Sequence, residues 1–328
     1  MRLLKDLLKI IPTWLAATVG WRTLLAGDKT LVILMYHRVL PKDDQRYQFE
    51  EPGMVVTPKT FRMHVETLVD SKVPVVSLRS WLEKDASKRP QFAVAITFDD
   101  GWLDNYEFAF PILREYDLPS TLFAVSRFLG QPAPFWPNKL LRILLSNSKW
   151  TSEQIASMQK LMPNFSGGSM NRESAASIIQ YLKQYPDTQI HDVLSVFSDE
   201  ELAIEMMDLK QLTDAKQNLN VDIGSHTCNH LRLKDYLPTA TLKEEISESK
   251  KELEACIQDN INGFCFPNGD YSEEALALVK TTYSYAVTTN RGHNNNAEMS
   301  PYELVRIGLH EDVSNTPTKF KARLANWF

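Results

Sequence analysis

The sequence predicts an α/β barrel that carries a helical insertion, and three observations lead there. Short runs rich in Val, Ile and Phe, apolar on both faces, alternate with helix-like stretches, as the strands of a mostly parallel sheet do. Polar residues able to do chemistry stand at the ends of several of these runs. That placement favours a barrel over a doubly wound sheet, because a barrel assembles its site from many strand ends. The chain has 328 residues, 43% of them apolar and 10% aromatic, enough to bury one large core at the upper end of single-domain size.

Residues 1–27 precede the barrel. Leu4, Leu7, Leu8, Ile11, Leu15 and Val19 follow a helical stripe, with Arg2, Lys5, Asp6 and Lys9 off it. The pattern predicts an amphipathic helix that packs on the domain. A helix resting on a membrane through residues 1–25, and a signal sequence or anchor, are the alternatives. Pro12, Thr13 and Arg22 interrupt the signal-like pattern, and the apolar run falls short of the roughly 20 residues of a membrane span. The expectation therefore leans to a cytoplasmic or membrane-associated protein over an exported one.

The barrel itself is expected over 28–328, with strands at 31–39, 73–78, 92–98, 120–125, 221–225, 263–266, 285–288 and 304–309. Helices are expected at 60–71, 103–116, 239–258 and 272–282, two of them opened by the start signals Thr57-Pro58 and Ser272-Glu273-Glu274. From about 130 to 218 the rhythm breaks. A Pro-rich loop leads into polar, helical sequence with Ser166-Gly167-Gly168-Ser169 as a flexible joint, which reads as a helical insertion able to cover the mouth of the barrel.

The formal charge of -5, with cations and anions interspersed, offers no basic stripe, so electrostatics give no reason to expect a nucleic-acid partner and suit a neutral or mixed-charge substrate. Cys228, Cys256 and Cys265 are odd in number, form no CxxC pair and are too few for a disulfide framework.

Asp99 and Asp100 close the apolar run 92–98, and Gly101 ends it. Adjacent carboxylates at such a place are costly unless a metal or a proton transfer uses them. The run 221–225 leads directly into His226-Thr227-Cys228-Asn229-His230. One Asp with two histidines four apart is the three-ligand set of a hydrolytic metal site that keeps a position open, leaving the second Asp free as a base. The plainer alternatives are a turn with solvated carboxylates and surface or core histidines. Cys228, between Thr227 and Asn229, is expected to point away from any metal.

Thr97-Phe98-Asp99-Asp100-Gly101, His226 to His230 and Phe264-Cys265-Phe266-Pro267-Asn268-Gly269, with the segment 31–39, resemble the polysaccharide deacetylases, the NodB-homology or family-four carbohydrate esterases. The resemblance covers most of residues 31–310. It implies a distorted (β/α)7 TIM-like barrel that removes N- or O-linked acetyl groups from sugars with one divalent metal. It implies Asp99 as general base and Asp100, His226 and His230 as ligands. Such a set suits zinc, with cobalt, nickel or manganese as alternatives.

An amide also needs an acid for its departing amine. In the family this is a histidine in a Leu-x-x-His motif near the end of the domain; here the match is Leu34-Met35-Tyr36-His37 at the start. That resembles the circularly permuted branch, which includes exopolysaccharide deacetylases acting on N-acetylglucosamine polymers. His37 is thus the expected acid and Leu34 part of the apolar wall around the acetyl methyl, with His310, in Ile307-Gly308-Leu309-His310, as rival.

The third motif departs from the family. Cys265 stands where Arg is usual and Asn268 where Tyr is usual. Either Arg306 takes over the orienting of Asp99 or the base is less well held. The backbone N–H of Asn268 can still serve as oxyanion donor. Trp102 is expected to offer a sugar ring an aromatic wall, with a core role as its alternative, as for Trp136. Together these imply a metal-dependent N-deacetylase of acetamido sugars in a polysaccharide or glycan. The alternatives are an O-acetyl esterase, a non-sugar C–N hydrolase and a catalytically inactive glycan-binding protein.

Overall fold

A computed structural model describes residues 11–26, 29–132, 135–146, 149–197, 204–295 and 299–326. Seven parallel strands form its centre: β1 (Thr30–Tyr36), β2 (Phe92–Asp100), β3 (Ser120–Ala124), β4 (Val221–Ser225), β5 (Gly263–Cys265), β6 (Tyr285–Val287) and β7 (Ile307–Gly308). Their order is β7-β1-β2-β3-β4-β5-β6, so the first and last strands of the chain are neighbours. A parallel bridge from Val287 to Leu304, in which Thr288 N donates to Leu304 O at 2.8 Å, brings β6 beside the segment entering β7 and joins the ring. The fold is the distorted (β/α)7 barrel the sequence predicts.

The strands are apolar on both faces because each face has its own core. Leu31, Ile33, Ala93, Ala95, Phe123, Val287 and Leu304 fill the barrel interior. Val32, Leu34, Tyr36, Val94, Ile96 and Phe98 pack outward under the helices. Leu34 is therefore not part of an acetyl-binding wall: it is fully buried beneath the outer helices, where alternation along β1 turns it away from the mouth.

The expected strand at 73–78 is reduced to one bridge, Val75 to Val94. Pro74 has no N–H to extend a ladder, and Ser77 already caps the helix Leu78–Glu83. Outer helices form where capping and periodicity predict them, including Pro58–Asp70, whose Thr57 side chain accepts from Thr60 N.

The insertion is shorter than expected. Helices Trp136–Ser146, Ser152–Gln159, Arg172–Leu182 and Asp187–Leu194 share a core of their own, with Leu141, Ile179, Ile190 and Leu194 at its centre. Helix Leu209–Asn218 belongs to the barrel, since Leu212 and Ala215 sit in the barrel's outer core. The Ser166–Ser169 stretch has no regular structure and is mostly exposed, but it is tied to Trp150: an added Cβ on Gly167, at φ +74°, would stand 2.8 Å from the indole, whose Nε1 donates to Gly168 O.

Residues 11–25 are helical, with a wide π turn at Ala16–Gly20. The face that packs on the barrel differs from the expected stripe. Ala16 and Ala17 meet Ala322 and Ala325 of the C-terminal helix Pro317–Ala325, and Trp21 stands edge-on to Phe92. Ile11, Leu15 and Val19 face solvent, because small side chains allow the closer approach between helices. Leu4, Leu7 and Leu8 lie outside the described residues. Among the described residues no helix is long and apolar enough to cross a membrane.

One buried histidine makes the fold sensitive to acid. His64 Nε2 contacts the Ser314 carbonyl at 2.7 Å and its Nδ1 contacts the Tyr36 hydroxyl at 2.9 Å, with the ring stacked on Phe320. A carbonyl only accepts, so Nε2 carries the proton and the neutral ring is fully satisfied. Burial pushes this imidazole from 6.5 down to about 4. Its stabilisation is complete above the unfolded value, is lost as pH falls from 6.5 toward 4, and changes no further below that. From about pH 7 to about pH 4.5 the loss amounts to about 2 to 3 kcal/mol. Denaturant titrations of His64→Gln at the two pH values should show the pH-dependent loss reduced by that amount; an unchanged loss would refute the assignment.

Candidate active site

The cleft opens at the carboxyl ends of the strands. Asp99 and Asp100 end β2, where Asp100 takes φ +78° and Gly101 φ +98°. Two left-handed residues in succession turn the chain sharply; Asp tolerates the first and glycine suits the second. Both carboxylates are buried, at 1% and 4% exposure. β4 ends at Ser225, and His226 follows with its N–H donating to Ala124 O. Thr227, at φ +70°, is a β-branched residue in the left-handed region, and His230 is also left-handed at φ +56°. The Thr227 hydroxyl accepts from His230 N at 2.9 Å, so a strained turn folds both imidazoles back over β2.

Three donors converge there. His226 Nε2 lies 3.5 Å and His230 Nε2 3.6 Å from Asp100 Oδ1. His226 Nδ1 faces the Cys265 carbonyl at 2.8 Å, which places its proton on Nδ1 and turns the lone pair of Nε2 inward. Trp102 Nε1 donates to Asp100 Oδ2 at 2.8 Å, whereas Asp100 Oδ1 is buried without a hydrogen-bond partner. An orphaned carboxylate oxygen beside two imidazole nitrogens is costly unless a cation satisfies it. With donor atoms all within 4.8 Å of one another, Asp100, His226 and His230 fit one divalent metal. Cys228 stays outside: its thiol donates to Glu244 O, and burial pushes it up to about 12.

Asp99 lies beside this group, with a carboxylate oxygen, a His226 nitrogen and the Cys265 sulfur all within 4.8 Å of one another, and Arg306 engages it. Burial pushes its carboxyl up, but Arg306, with the His226 and His37 imidazoles beside it, keeps it below the ordinary value. The guanidinium makes a two-armed contact, Nη1 to Oδ1 and Nη2 to Oδ2, both at 2.7 Å. Arg306 is itself fixed, donating through Nε to Thr288 O at 2.8 Å and through Nη2 to Cys265 Sγ at 3.2 Å. Cys265 thus leaves the room that the guanidinium fills from the β7 segment, and the Asp99 carboxylate is well held.

His37 follows β1 and lines the cleft, its Nε2 3.8 Å from Asp99 Oδ2. His310 occupies the position before the short helix Glu311–Ser314 without capping it through its side chain, with Nδ1 3.4 Å from Asp312 Oδ2, and is not among the cleft-lining residues. Asn268, left-handed at φ +55°, lines the cleft, and its N–H has no hydrogen-bond partner among the described residues. Trp102 lines the cleft but is only 1% exposed, lying beneath the Arg38 guanidinium at 3.9 Å and supporting Asp100 through its indole N–H.

Sequence reasoning missed the network above Trp102. Arg38 donates to Asp104, Glu50 and Glu205 at 2.8 to 2.9 Å, Asn138 donates to Glu50, and Arg142 pairs with Glu205. Buried charge beside His37 was a local signal, but Glu205 lies 167 residues from Arg38. A second clamp joins the insertion to the loop after His230, where Arg232 and Trp136 both donate to Asp187. The insertion thereby walls a cleft of about 480 Å³, with Trp136, Gln180, Lys183 and His191 across from the carboxylates.

Known proteins resemble this chain in sequence and in fold. The family described as polysaccharide deacetylase matches residues 86–161 and 164–286. A Bacillus subtilis (strain 168) protein named as polysaccharide deacetylase YxkH is 23% identical over 289 residues, 87% of this chain and 74% of that protein. A Staphylococcus epidermidis poly-β-1,6-N-acetyl-D-glucosamine N-deacetylase is 30% identical over 105 residues, 30% of this chain and 36% of its own. Among solved structures, the Streptococcus pyogenes deacetylase PplD in complex with acetate superposes with a TM-score of 0.59 at 19% identity, covering 90% of this chain and 98% of that one.

Proposed function

The chain belongs to the polysaccharide deacetylase family, and from that premise we propose that it removes N-acetyl groups from acetamido sugars of a polysaccharide or glycan by hydrolysis, with Asp99 as base and His37 as acid. The observation that carries this reading is the Arg306 fork on Asp99, which supplies the guanidinium that the third motif lacks. A decayed glycan-binding protein has no use for a buried arginine that keeps one carboxylate ionised.

Asp100, His226 and His230 would hold a divalent cation, with zinc best suited to two imidazoles and one carboxylate. When bound, such a cation supplies Lewis acidity toward the acetamide carbonyl and acidifies water. Asp99, ionised beside Arg306, accepts the proton of the attacking water. Asn268 N–H donates to the oxygen that gains charge as the carbonyl becomes tetrahedral. His37, beside Asp99 in the cleft, gives a proton to the sugar nitrogen so that it departs as an amine. Arg38 and Trp102 hold Asp100 in place from behind.

The test is acetate release from N-acetylglucosamine oligomers by purified protein before and after chelation. Chelation should lower the rate by about 100-fold or more, and zinc or cobalt should restore it. Release unaffected by complete metal removal would overturn the metal assignment. Release from acetyl esters of sugars with none from acetamides would replace the N-deacetylase with an O-acetyl esterase.

A further inference from the structure

The packing of residues 11–25 leaves one helix face without a partner among the described residues. Ile11, Trp14, Leu15 and Val19 are 67%, 58%, 39% and 50% exposed. Their spacing of three, four and eight places them in one stripe. The other exposed large apolar side chains, Val69, Tyr181, Ile204, Leu209 and Tyr236, do not form such a run. Isolated apolar residues on a surface need no explanation, but a contiguous stripe holding a tryptophan does.

The charge around the stripe narrows what can cover it. Residues 11–26 and 315–326 contain no Asp or Glu and carry Arg22, Lys319, Lys321 and Arg323, within a chain of formal charge -5. Arg22 is exposed, and Lys321 Nζ lies over the Trp21 ring. Arg2, Lys5 and Lys9, against Asp6, precede the helix in sequence. A second copy docking by this face would bring the same cations together, and one helical stripe is small beside the roughly 800 Å² per partner of a stable complex. An apolar strip bordered by cations, with tryptophan near one end, matches a bilayer whose headgroups are anionic.

We propose that the protein docks on anionic phospholipid surfaces, burying Ile11, Trp14, Leu15 and Val19 among the acyl chains with Arg22 and Lys321 at headgroup level. The helix is seated through Trp21 on Phe92, the first residue of β2, while Asp99 and Asp100 end that strand. Docking therefore leaves the cleft accessible, and hydrolysis in solution serves as a control for folding.

The test is co-sedimentation of the full chain with vesicles of phosphatidylcholine alone or mixed with phosphatidylglycerol, in low and high salt. The wild type should bind the anionic vesicles about tenfold more strongly than the neutral ones, and lose that preference in high salt. Ile11→Ser/Trp14→Ser/Val19→Ser should lose about tenfold or more of the binding while keeping its acetate release and circular dichroism spectrum. Equal binding of variant and wild type, or no binding by the wild type, would overturn the proposal. So would a wild-type dimer on size exclusion that the triple variant abolishes, which would assign the face to a second copy.

Discussion

Asp99→Asn should reduce acetate release by about 1,000-fold or more while leaving metal content unchanged, because it removes the proton acceptor and spares Asp100, His226 and His230. The variant also leaves Arg306, fully buried, facing a neutral amide. Breaking a buried pair in this way costs about 3 to 5 kcal/mol, so a lower melting temperature should accompany the lost activity. Arg306→Lys separates the two effects. It keeps the charge but not the two-armed contact, so activity should persist at a reduced level. The acidic limb of kcat/KM should then move to higher pH, since burial raises the Asp99 carboxyl and Arg306 is the main force opposing it. A limb that stays in place would mean that Arg306 holds structure without tuning the base. Full activity of Asp99→Asn would refute the assignment of the base itself.

The second large effect concerns the acid. His37→Ala should lower the turnover of acetamido sugars by about 100-fold to 10,000-fold, whereas turnover of an aryl acetate should fall far less, because a phenolate leaves without a proton. His310→Ala should stay within about threefold of wild type on both substrates, since its imidazole faces Asp312 and does not line the cleft. The comparison between leaving groups is the discriminating measurement. If His310→Ala showed the selective loss on amides and His37→Ala did not, the acid would have to be reassigned and the permuted arrangement abandoned.

The candidate cluster was legible because its members are out of place locally. Two adjacent carboxylates at the end of β2, and two histidines four apart immediately after β4, each carry a desolvation cost that simple turns do not require. The third motif was legible only as a gap. That Arg306 fills it depends on the ring joining β6 to the segment entering β7, which brings a guanidinium to a carboxylate 207 residues away. The Arg38 network shows the same limit, since its partners come from the first loop, the turn after β2 and the segment that follows the insertion.

The sequence by itself determined the barrel, most of its strands, the outer helices and the residues that converge at the strand ends, because periodicity, capping and the cost of buried charge are local properties. Only the tertiary structure decided which face each element presents. Along β1 both faces are apolar, so alternation could not say whether Leu34 points to the mouth or to the helices, and packing under the outer helices settled it. Along residues 11–25 the larger apolar side chains marked a stripe, yet Ala16 and Ala17 fit against Ala322 and Ala325 and so turned Ile11, Trp14 and Val19 outward. That Trp102 supports Asp100 was decided in the same way: its indole N–H finds a carboxylate oxygen only once the turn after β2 has folded. Orientation follows from contacts between residues distant in sequence, and those exist only when the ring has joined.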